Sequence, residues 1–454
     1  MKIIIAGAGK IGNSLAEILV SEGHDITVID RDPDTIQRIS NTADVICVEG
    51  NATNPGVLEE AGAAHADLLL AVTEMDEINM VCGAEAKKLG TGNVIARVRE
   101  IEYLSHSSFL RETLGLSLII NPEYECAKEI SRILRMPGAD RIEAFPKSNA
   151  EIVEFRFESG SVLNGMKISD LPEKTGSKVL IAAIERDGEV IIPCGSDVIA
   201  ADDRLSVVGS APEMRKFFVG TGEYIKPSKN VLIMGGGRIS VYLAKLLREN
   251  DMKATIIEMD RELCEDLADE LPGTEIICGD ATKNGVIAES GIEQADAFVA
   301  LTGDDGDNIV TSMYAQSVGT AKVVTKVDRS HYLKMLGCSQ LECVVAPRVI
   351  IAERIAKYVR GLVNSKSGKM ETMYRIAGGR AEAVEFIVGE KCRCAGKAFK
   401  EMKLVRNVLV GIIIRNSRVI IPGGNDMLLP GDHAVFIAAP GLLKEPDDIL
   451  EDSL

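Results

Sequence analysis

The chain contains no tryptophan, and aromatic residues make up only 4% of its 454 positions. The sequence therefore lacks the aromatic platforms on which many proteins bind single-stranded nucleic acid. Positive charge is also scarce, because 51 Lys and Arg residues face 68 Asp and Glu residues, a formal net charge of −17. A charge of that sign disfavours non-specific binding to nucleic acid and to anionic lipid. We expect no nucleic-acid partner, and contact with a membrane only through another protein.

No apolar stretch is long enough to cross a bilayer, because runs such as Val408–Ile414 fall far short of the ~20 residues required. The segment Met1–Gly7 reaches glycine too soon to form the apolar core of a signal peptide. These two absences predict a cytoplasmic protein.

The ten cysteines include no Cys-x-x-Cys pair, and the nearest approaches to one are Cys392–Cys394 and Cys338–Cys343. The five histidines are scattered along the chain. Zinc sites need clustered ligands, and redox dithiols commonly use Cys-x-x-Cys. We therefore predict no metal site and interpret the cysteines as small hydrophobic residues in a reducing cytosol.

The most informative feature of the sequence is an internal repeat. The segment MKIIIAGAGKIG at 1–12 returns as NVLIMGGGRIS at 230–240, and GNAT at 50–53 returns as GDAT at 279–282. A period this long indicates duplication of a multi-domain unit rather than a solenoid repeat.

The first part of each half alternates strand patterns with helical ones. The strands predicted in the first half are Lys2–Ala6, Asp25–Asp30, Val45–Val48, Asp67–Thr73 and Val94–Val98. The helices predicted between them are Ile11–Val20, Ile36–Asn41, Asn54–Ala61 and Asn79–Leu89. This alternation is typical of a parallel sheet with helices on both faces. We therefore predict an α/β fold with two Rossmann-like, doubly wound parallel-sheet domains.

The second part of each half changes to short strands, after a predicted helix at Glu123–Arg135 and a boundary at Met136–Gly138. The strands predicted there are Val153–Phe157, Lys178–Glu185, Leu205–Val208, Ala383–Val388, Val408–Ile414 and Ala434–Ala438. Each half thus ends in a small α+β module. The predicted domains are 1–125, 138–222, 228–350 and 370–454, with a linker between the halves at Gly220–Lys229.

The first glycine loop directly follows a strand and opens a helix, with Gly7, Gly9 and Gly12 in the spacing G-x-G-x-x-G. In such a loop the first glycine allows the tight turn, the second lets the backbone approach a pyrophosphate, and the third lets the helix pack on the sheet. The pyrophosphate then lies at the helix N-terminus. The candidate residues of this loop are Gly7, Ala8, Gly9, Lys10, Ile11 and Gly12.

Asp30 ends the second strand, where its carboxylate can accept hydrogen bonds from the ribose hydroxyls and repel a 2′-phosphate. The sequence therefore favours NAD(H) over NADP(H), although Arg31 weakens that exclusion. The second half repeats the pattern with Glu258 in the acidic position. Its candidate residues are Gly235, Gly236, Gly237, Arg238, Ile239 and Glu258. Ser240 replaces the third glycine, Arg238 adds a possible phosphate contact, and the two loops need not bind the same ligand.

Further candidates follow the later strands of each domain. Thr73 and Thr302 end the fourth strand, where a threonine either bonds ribose or caps the next helix, and both roles remain open. Arg97 and Lys326 occupy matching places on the next strand, where each either faces the phosphates or is a solvated surface charge. The remaining candidates are Thr53, in the GNAT turn, and Glu74.

These motifs resemble the KTN/RCK family. The resemblance is carried by both glycine loops, by TEMDEINMV at 73–81 and TGDDGDNIV at 302–310, and by the module endings at 190–209 and 419–438. The order N–C–N–C covers essentially the whole chain and is similar to the regulatory subunits of Trk-type bacterial potassium uptake systems. The resemblance implies regulation by NAD(H) and by the adenine nucleotides ATP and ADP, and assembly into a homo-oligomeric ring. It also implies docking on a separate membrane potassium channel or transporter subunit at the inner face of the plasma membrane.

An NAD-dependent dehydrogenase is the alternative. Such an enzyme needs a proton donor or acceptor beside the nicotinamide and a lobe that holds the substrate. The small modules contain no convincing acid/base constellation, because His433 stands without support and its counterpart in the first module is taken to be Asp203. We therefore predict no catalytic residue and a non-enzymatic regulatory protein.

Overall fold

In the computed structural model of the chain, the described residues are 1–136, 138–145, 150–157, 160–222, 228–283, 285–329, 332, 341, 343–367, 370–416 and 418–451. None of the helices among these residues is long and apolar enough to cross a membrane. The chain divides into two compact units. Unit 1 comprises Met1–Ser131 and Lys229–Ala356, and unit 2 comprises Arg132–Ser228 and Lys357–Leu454. Each unit therefore combines one part from each half of the repeat.

The first sheet of unit 1 is six-stranded and entirely parallel. Its strands are β1 Lys2–Ala6, β2 Asp25–Asp30, β3 Ile46–Glu49, β4 Leu68–Ala71, β5 Asn93–Arg97 and β6 Leu118–Ile120, in the spatial order β3-β2-β1-β4-β5-β6. The first-half helices are α1 Lys10–Ser21, α2 Pro33–Thr42, α3 Pro55–Glu60, α4 Asp76–Leu89, α5 Ile101–Ser105, α6 Ser107–Leu114 and α7 Pro122–Arg135. Consecutive residues of β1 and β4 are buried, as expected for strands covered on both faces. The predicted doubly wound sheet is confirmed.

The first sheet of unit 2 is five-stranded and antiparallel. Its strands are β7 Arg141–Ala144, β8 Ala150–Arg156, β9 Leu180–Arg186, β10 Glu189–Ile191 and β11 Arg204–Ser210, in the order β10-β9-β11-β8-β7. The helices with it are α8 Leu171–Thr175 and α9 Ala211–Thr221. Gly220 and Thr221 belong to α9, so the linker predicted at Gly220–Lys229 begins too early. Positions 223–227 of that prediction lie outside the described residues.

The second half repeats both sheets. Its parallel sheet contains β12 Asn230–Met234, β13 Lys253–Glu258, β14 Glu275–Cys278, β15 Ala297–Ala300, β16 Lys322–Lys326 and β17 Val344–Val345, in the order β14-β13-β12-β15-β16-β17. Its helices are α10 Arg238–Glu249, α11 Arg261–Glu270, α12 Val286–Glu289, α13 Asp305–Ser317 and α14 Pro347–Ser367.

The second antiparallel sheet completes unit 2. Its strands are β18 Met370–Ile376, β19 Ala381–Ile387, β20 Leu409–Arg415, β21 Arg418–Ile420 and β22 His433–Ala438, in the order β18-β19-β22-β20-β21. Buried side chains from both antiparallel sheets, including Ile152, Val208, Ile376 and Val435, belong to one hydrophobic cluster. Burial of this shared apolar surface holds the two modules together.

Candidate nucleotide-binding sites

Strand order reverses between β1 and β4, and the first glycine loop lies at this switch point, where open α/β sheets bind ligands. Gly7 has φ +104°, and its N–H donates to the Ile29 carbonyl at 2.8 Å. A Cβ atom on Gly7 would lie 2.9 Å from the Thr73 nitrogen, and one on Gly12 would lie 1.9 Å from the Gly7 oxygen. Only glycine fits either position without a backbone shift.

Gly9 differs from its two neighbours in the motif. It has an extended backbone (φ −66°, ψ −166°), and a Cβ atom there would meet nothing within 4 Å. The folded protein alone therefore does not require glycine at this position. Open space beside the backbone is the feature predicted for a glycine that a pyrophosphate approaches.

The N-terminus of α1 is suited to bind an anion. Its N-cap residue Gly9 supplies no side-chain acceptor, and the first turn has no acidic residue. The same is true of α10, whose N-cap is Gly237. By contrast α2, α3, α11 and α13 are capped by the side chains of Asp32, Asn54, Asp260 and Asp304. The first-turn N–H groups and the positive dipole end of α1 and α10 therefore have no capping side chain of their own, as an anion site requires.

The acidic residue of each loop lies against the loop backbone. Asp30 accepts hydrogen bonds from the N–H of Ala8 at 2.7 Å and of Asp32 at 3.0 Å. Glu258 makes the same kind of contact, with its Oε2 atom 2.6 Å from the nitrogen of Gly236. Both carboxylates thus sit at the ends of β2 and β13, where a ribose would lie.

In the second loop Ser240 stands in place of the third glycine and makes a hydrogen bond to the turn. The Ser240 hydroxyl donates to the Gly235 carbonyl at 2.5 Å, whereas the same place in the first loop has no room for a Cβ atom. Gly235 has φ +98°, and a Cβ atom on Gly237 would meet nothing within 4 Å. The second loop therefore keeps the turn and the open backbone, and the Ser240 hydroxyl ties the start of the helix to the turn.

Thr73 and Thr302 are held by a buried asparagine four residues into the next helix. Asn79 accepts from the Thr73 N–H at 2.8 Å and from its hydroxyl at 2.7 Å, and it donates to the carbonyls of Thr73 and Arg97. Asn308 makes the equivalent four contacts around Thr302 and Lys326. Neither threonine caps the next helix, because the N-cap residues are Met75 and Asp304. Each threonine instead links its strand to that helix through the asparagine, and its bond to ribose stays a prediction.

Arg97 and Lys326 are not solvated surface charges. Arg97 is half-buried and donates to the Thr73 carbonyl at 3.3 Å, and burial lowers the pKa of its guanidinium. Lys326 is buried, donates to the Thr302 carbonyl at 3.1 Å, and pairs with Asp328 at 2.9 Å. Both cations therefore lie beside the loop that follows the fourth strand.

Sequence reasoning missed the buried residues Asp76 and Asp305 as well as the two asparagines. Asp76 accepts from the N–H groups of Arg99 and Glu100 at 2.7 and 2.9 Å, and Asp305 accepts from those of Asp328 and Arg329. Each aspartate therefore holds the segment after the fifth strand against the mouth of its site. Their repetition in register in both halves was the signal that could have identified them.

The remaining candidates lie around the two loops. Ala8 and Ile239 are buried, Ile11 is half-buried, and Lys10, Arg31 and Glu74 are exposed. Thr53 is held in its turn by the Asn51 carboxamide oxygen, at 3.1 Å from its nitrogen and 3.0 Å from its hydroxyl. Arg238 points out of the second loop and bonds to Glu100 of the first parallel-sheet domain.

His433 requires a correction, because the structure gives it a partner. Its Nδ1 atom lies 3.0 Å from the buried Glu385 carboxylate. Its counterpart is Arg204 rather than Asp203, since Arg204 pairs with Glu185 where His433 pairs with Ile414. Asp203 corresponds instead to Asp432, and each of these accepts a forked bond from an arginine.

No three His, Cys, Asp or Glu side chains among the described residues are grouped so that they could hold a metal ion. Two parallel-sheet domains with glycine loops, each followed by a small antiparallel module, define a protein built from two paired Rossmann-like units. The TrkA-N domain family matches residues 3–122 and 231–347, and the TrkA-C domain family matches residues 152–219 and 383–449. The chain belongs to the TrkA family of Trk system potassium uptake proteins.

Two relatives show how far the similarity extends. A Trk system potassium uptake protein TrkA homolog of Archaeoglobus fulgidus is 33% identical over 450 residues, which are 99% of this chain and 100% of that protein. The Trk system potassium uptake protein TrkA of Vibrio alginolyticus is 33% identical over 445 residues, 96% of this chain and 95% of that protein. The family assignment groups this chain with Trk system potassium uptake proteins and does not support the dehydrogenase alternative.

Solved structures share the fold. The GsuK channel bound to NAD has a TM-score of 0.64 and 19% identity, covering 97% of this chain and 77% of that one. GsuK bound to ADP has a TM-score of 0.51 and 16% identity, covering 79% of this chain and 69% of that one.

Proposed function

We propose that the chain binds NAD(H) at the Gly7–Gly12 loop and NAD(H), ATP or ADP at the Gly235–Ser240 loop, and thereby regulates a separate membrane potassium channel or transporter subunit. The observation that carries this proposal is the uncapped N-terminus of α1, which opens beside the free space at Gly9. An anion there would meet unpaired amide groups and the positive end of the helix dipole.

The acidic residues decide which nucleotide each loop prefers. Asp30 lies at the end of β2, so its carboxylate can accept the ribose hydroxyls while repelling a 2′-phosphate. Glu258 reaches the same place on a side chain that is one methylene longer. GsuK, which shares the fold, has been solved with NAD and with ADP.

We infer regulation without catalysis. Hydride transfer needs a group that moves the accompanying proton near the nicotinamide. The polar side chains beside the loops, Thr73, Asn79 and Arg97, are instead tied to each other and to carbonyls by hydrogen bonds. We expect NADH to bind and to remain unoxidised in the presence of small hydroxy and keto acids.

Two parallel-sheet domains per chain supply two ligand-sensitive elements from which a closed homo-oligomeric ring can be built. We propose that such a ring docks on the membrane subunit from the cytoplasm, at the inner face of the plasma membrane. A nucleotide regulates the channel in this arrangement only if it binds one conformation of the ring more tightly than another.

The test combines binding and transport. Isothermal titration of the full chain with NADH, NAD, ATP and ADP should give saturable binding, which Gly9→Ala and Gly237→Ala should reduce at the first and second loop respectively. Deleting the gene in its host should reduce potassium uptake at low external potassium, and the wild-type chain should restore it. Uptake that is unchanged by the deletion, or the absence of nucleotide binding, would refute the proposal.

A further inference from the structure

Two cysteines meet at the open edge of the second parallel sheet. Cys278 is the last residue of the edge strand β14 and is exposed, and Cys264 lies in the first turns of α11 and is buried. Both cysteines lie next to Glu258, the acidic residue of the second loop. Cys278 is the register partner of Glu258 on the neighbouring strand, and the Cys264 thiol donates to the Glu258 carbonyl at 3.3 Å.

The two thiols also face the same part of the surface. Burial, and then the neighbouring Cys278 thiol, raise the pKa of the Cys264 thiol to about 11. They line one cavity of about 430 Å³, together with Arg261, Glu265, Ala268 and Ile276. Arg261 and Glu265 are strongly exposed and pair at 3.4 Å, so small polar reagents reach the cavity from solvent.

The first half has no equivalent pair. Ile36 occupies the place of Cys264, four residues after the aspartate that caps each helix, and Glu49 occupies the place of Cys278 beside the acidic residue. The dithiol is therefore a property of the second domain alone.

We propose that Cys264 and Cys278 form a redox-active dithiol that closes to a disulfide with a peroxide as the oxidant. The exposed Cys278 thiolate attacks one peroxide oxygen, which gives a sulfenic acid and releases the other oxygen as water. The Cys264 sulfur then attacks the Cys278 sulfur and expels a second water. In sum two thiols lose two electrons and two protons, and one hydrogen peroxide becomes two waters. Proximity offsets the low thiolate fraction of Cys264 in the second step.

Closure of the disulfide would act on the second loop. It removes the thiol donor from the Glu258 carbonyl and ties α11 to the end of β14, directly before the turn that begins at Gly279. This consequence rests on the proposed nucleotide binding at that loop. We expect nucleotide affinity there to fall about fivefold on oxidation, the size that the loss of one neutral hydrogen bond carries.

The covalent step is tested on the full chain without any nucleotide. After hydrogen peroxide treatment and alkylation, peptide mass spectrometry should find Cys264 joined to Cys278, and dithiothreitol should reverse the link. Cys47→Ser, which removes the thiol on the equivalent edge strand of the first half, should leave the link intact, whereas Cys278→Ser should abolish it. Alkylation of both thiols with no link, or sulfinic acid at Cys278 alone, would overturn the proposal.

The regulatory step is tested separately by nucleotide titration of the Gly9→Ala chain before and after oxidation, with Cys278→Ser as the control that oxidation should not affect. A link that forms while affinity stays unchanged would overturn the regulatory step only. A reduced chain that binds no nucleotide at the second loop would refute the proposed function there and leave the dithiol in place.

Discussion

The guanidinium of Arg238 bonds to the carboxylate of Glu100, although 138 residues separate the two positions. Arg238 opens α10 at the second glycine loop, and Glu100 follows the strand that ends at the first site. Both are half-exposed. Because a cation at a helix N-terminus opposes the helix dipole, Arg238 benefits from an anion, and Glu100 supplies one in the absence of a phosphate.

Glu100→Gln should raise nucleotide affinity at the second loop, because it removes a carboxylate that competes with phosphate for Arg238. An exposed ion pair is worth at most about 1 kcal/mol, so the gain should not exceed about fivefold. Titration calorimetry in a Gly9→Ala background would measure it, with Glu102→Gln as the charge-matched control. A loss of affinity would show that Glu100 supports the loop rather than competing with its ligand.

Gly9→Ala should impair nucleotide binding without affecting stability, whereas Gly12→Ala should reduce stability. A methyl group at Gly9 meets nothing within 4 Å, so Gly9→Ala should leave the free energy of unfolding unchanged while nucleotide binding at the first loop is lost. Gly12→Ala places a methyl group 1.9 Å from the Gly7 oxygen and should destabilise the chain by about 1–3 kcal/mol. Urea unfolding and calorimetry on both variants would check this. If the Gly9→Ala chain bound nucleotide at the first loop with normal affinity, the proposal that phosphate lies against Gly9 would be refuted.

Asp30→Ala should weaken NADH binding at the first loop by roughly a hundredfold, since two charge-assisted hydrogen bonds to ribose are worth on the order of 3 kcal/mol. Without the carboxylate, discrimination against NADPH should also shrink. Glu258→Ala is the matched control, because it should affect only the second loop. Circular dichroism would establish that the variant folds, since Asp30 also accepts the Ala8 N–H. Equal affinity in wild type and Asp30→Ala would contradict the assignment.

Asn79→Ala should destabilise unit 1 by about 2–3 kcal/mol, because it leaves the Thr73 N–H and the Arg97 carbonyl without their partner in a buried site. Asn308→Ala should do the same in the second domain. The control position is half-buried Asn13 on α1, whose side-chain amide donates to the Glu17 carboxylate at 3.3 Å near the surface, so Ala should cost little there. Chemical denaturation would measure all three, and a cost below about 0.5 kcal/mol at Asn79 would show that water replaces its contacts.

His24 makes stability depend on pH. Burial, and then the nearby N-terminal ammonium group, lower the pKa of His24 from its ordinary value of 6.5. Between that value and the lower folded pKa the unfolded chain binds more protons, so stability falls as pH drops through this window. His24→Gln should therefore make the unfolding free energies at about pH 7.5 and pH 5.5 differ less than they do in the wild type. An unchanged difference in the variant would mean that other groups control it.

Much of the fold and of the loops was predictable because it depends on neighbours in the chain. The apolar runs of β1 and β4, the glycines that need special backbone geometry, and Asp30 at a strand end all act within a few residues. The predicted ends of a helix were wrong where a capping residue sets the start. Helix α2 was predicted from Ile36 but begins at Pro33, because Asp32 caps it. The short strands Leu118–Ile120 and Val344–Val345 were missed, since two or three residues show no periodicity.

The rest required distant parts of the chain to meet. The repeat predicts two parallel-sheet domains, but only the tertiary structure shows that they join in unit 1, through contacts such as the Tyr242 hydroxyl donating to the Arg99 carbonyl at 3.0 Å. The hydrogen bonds of Asn79 to Arg97 and of Cys264 to Glu258 likewise join residues from separate elements. Local backbone geometry and the period of the apolar residues depend on residues that are close together in the sequence. The hydrogen-bond partners of polar side chains depend on how whole helices and strands pack. Buried polar groups are nearly always hydrogen-bonded, and the available partner is the group that the fold brings next to them.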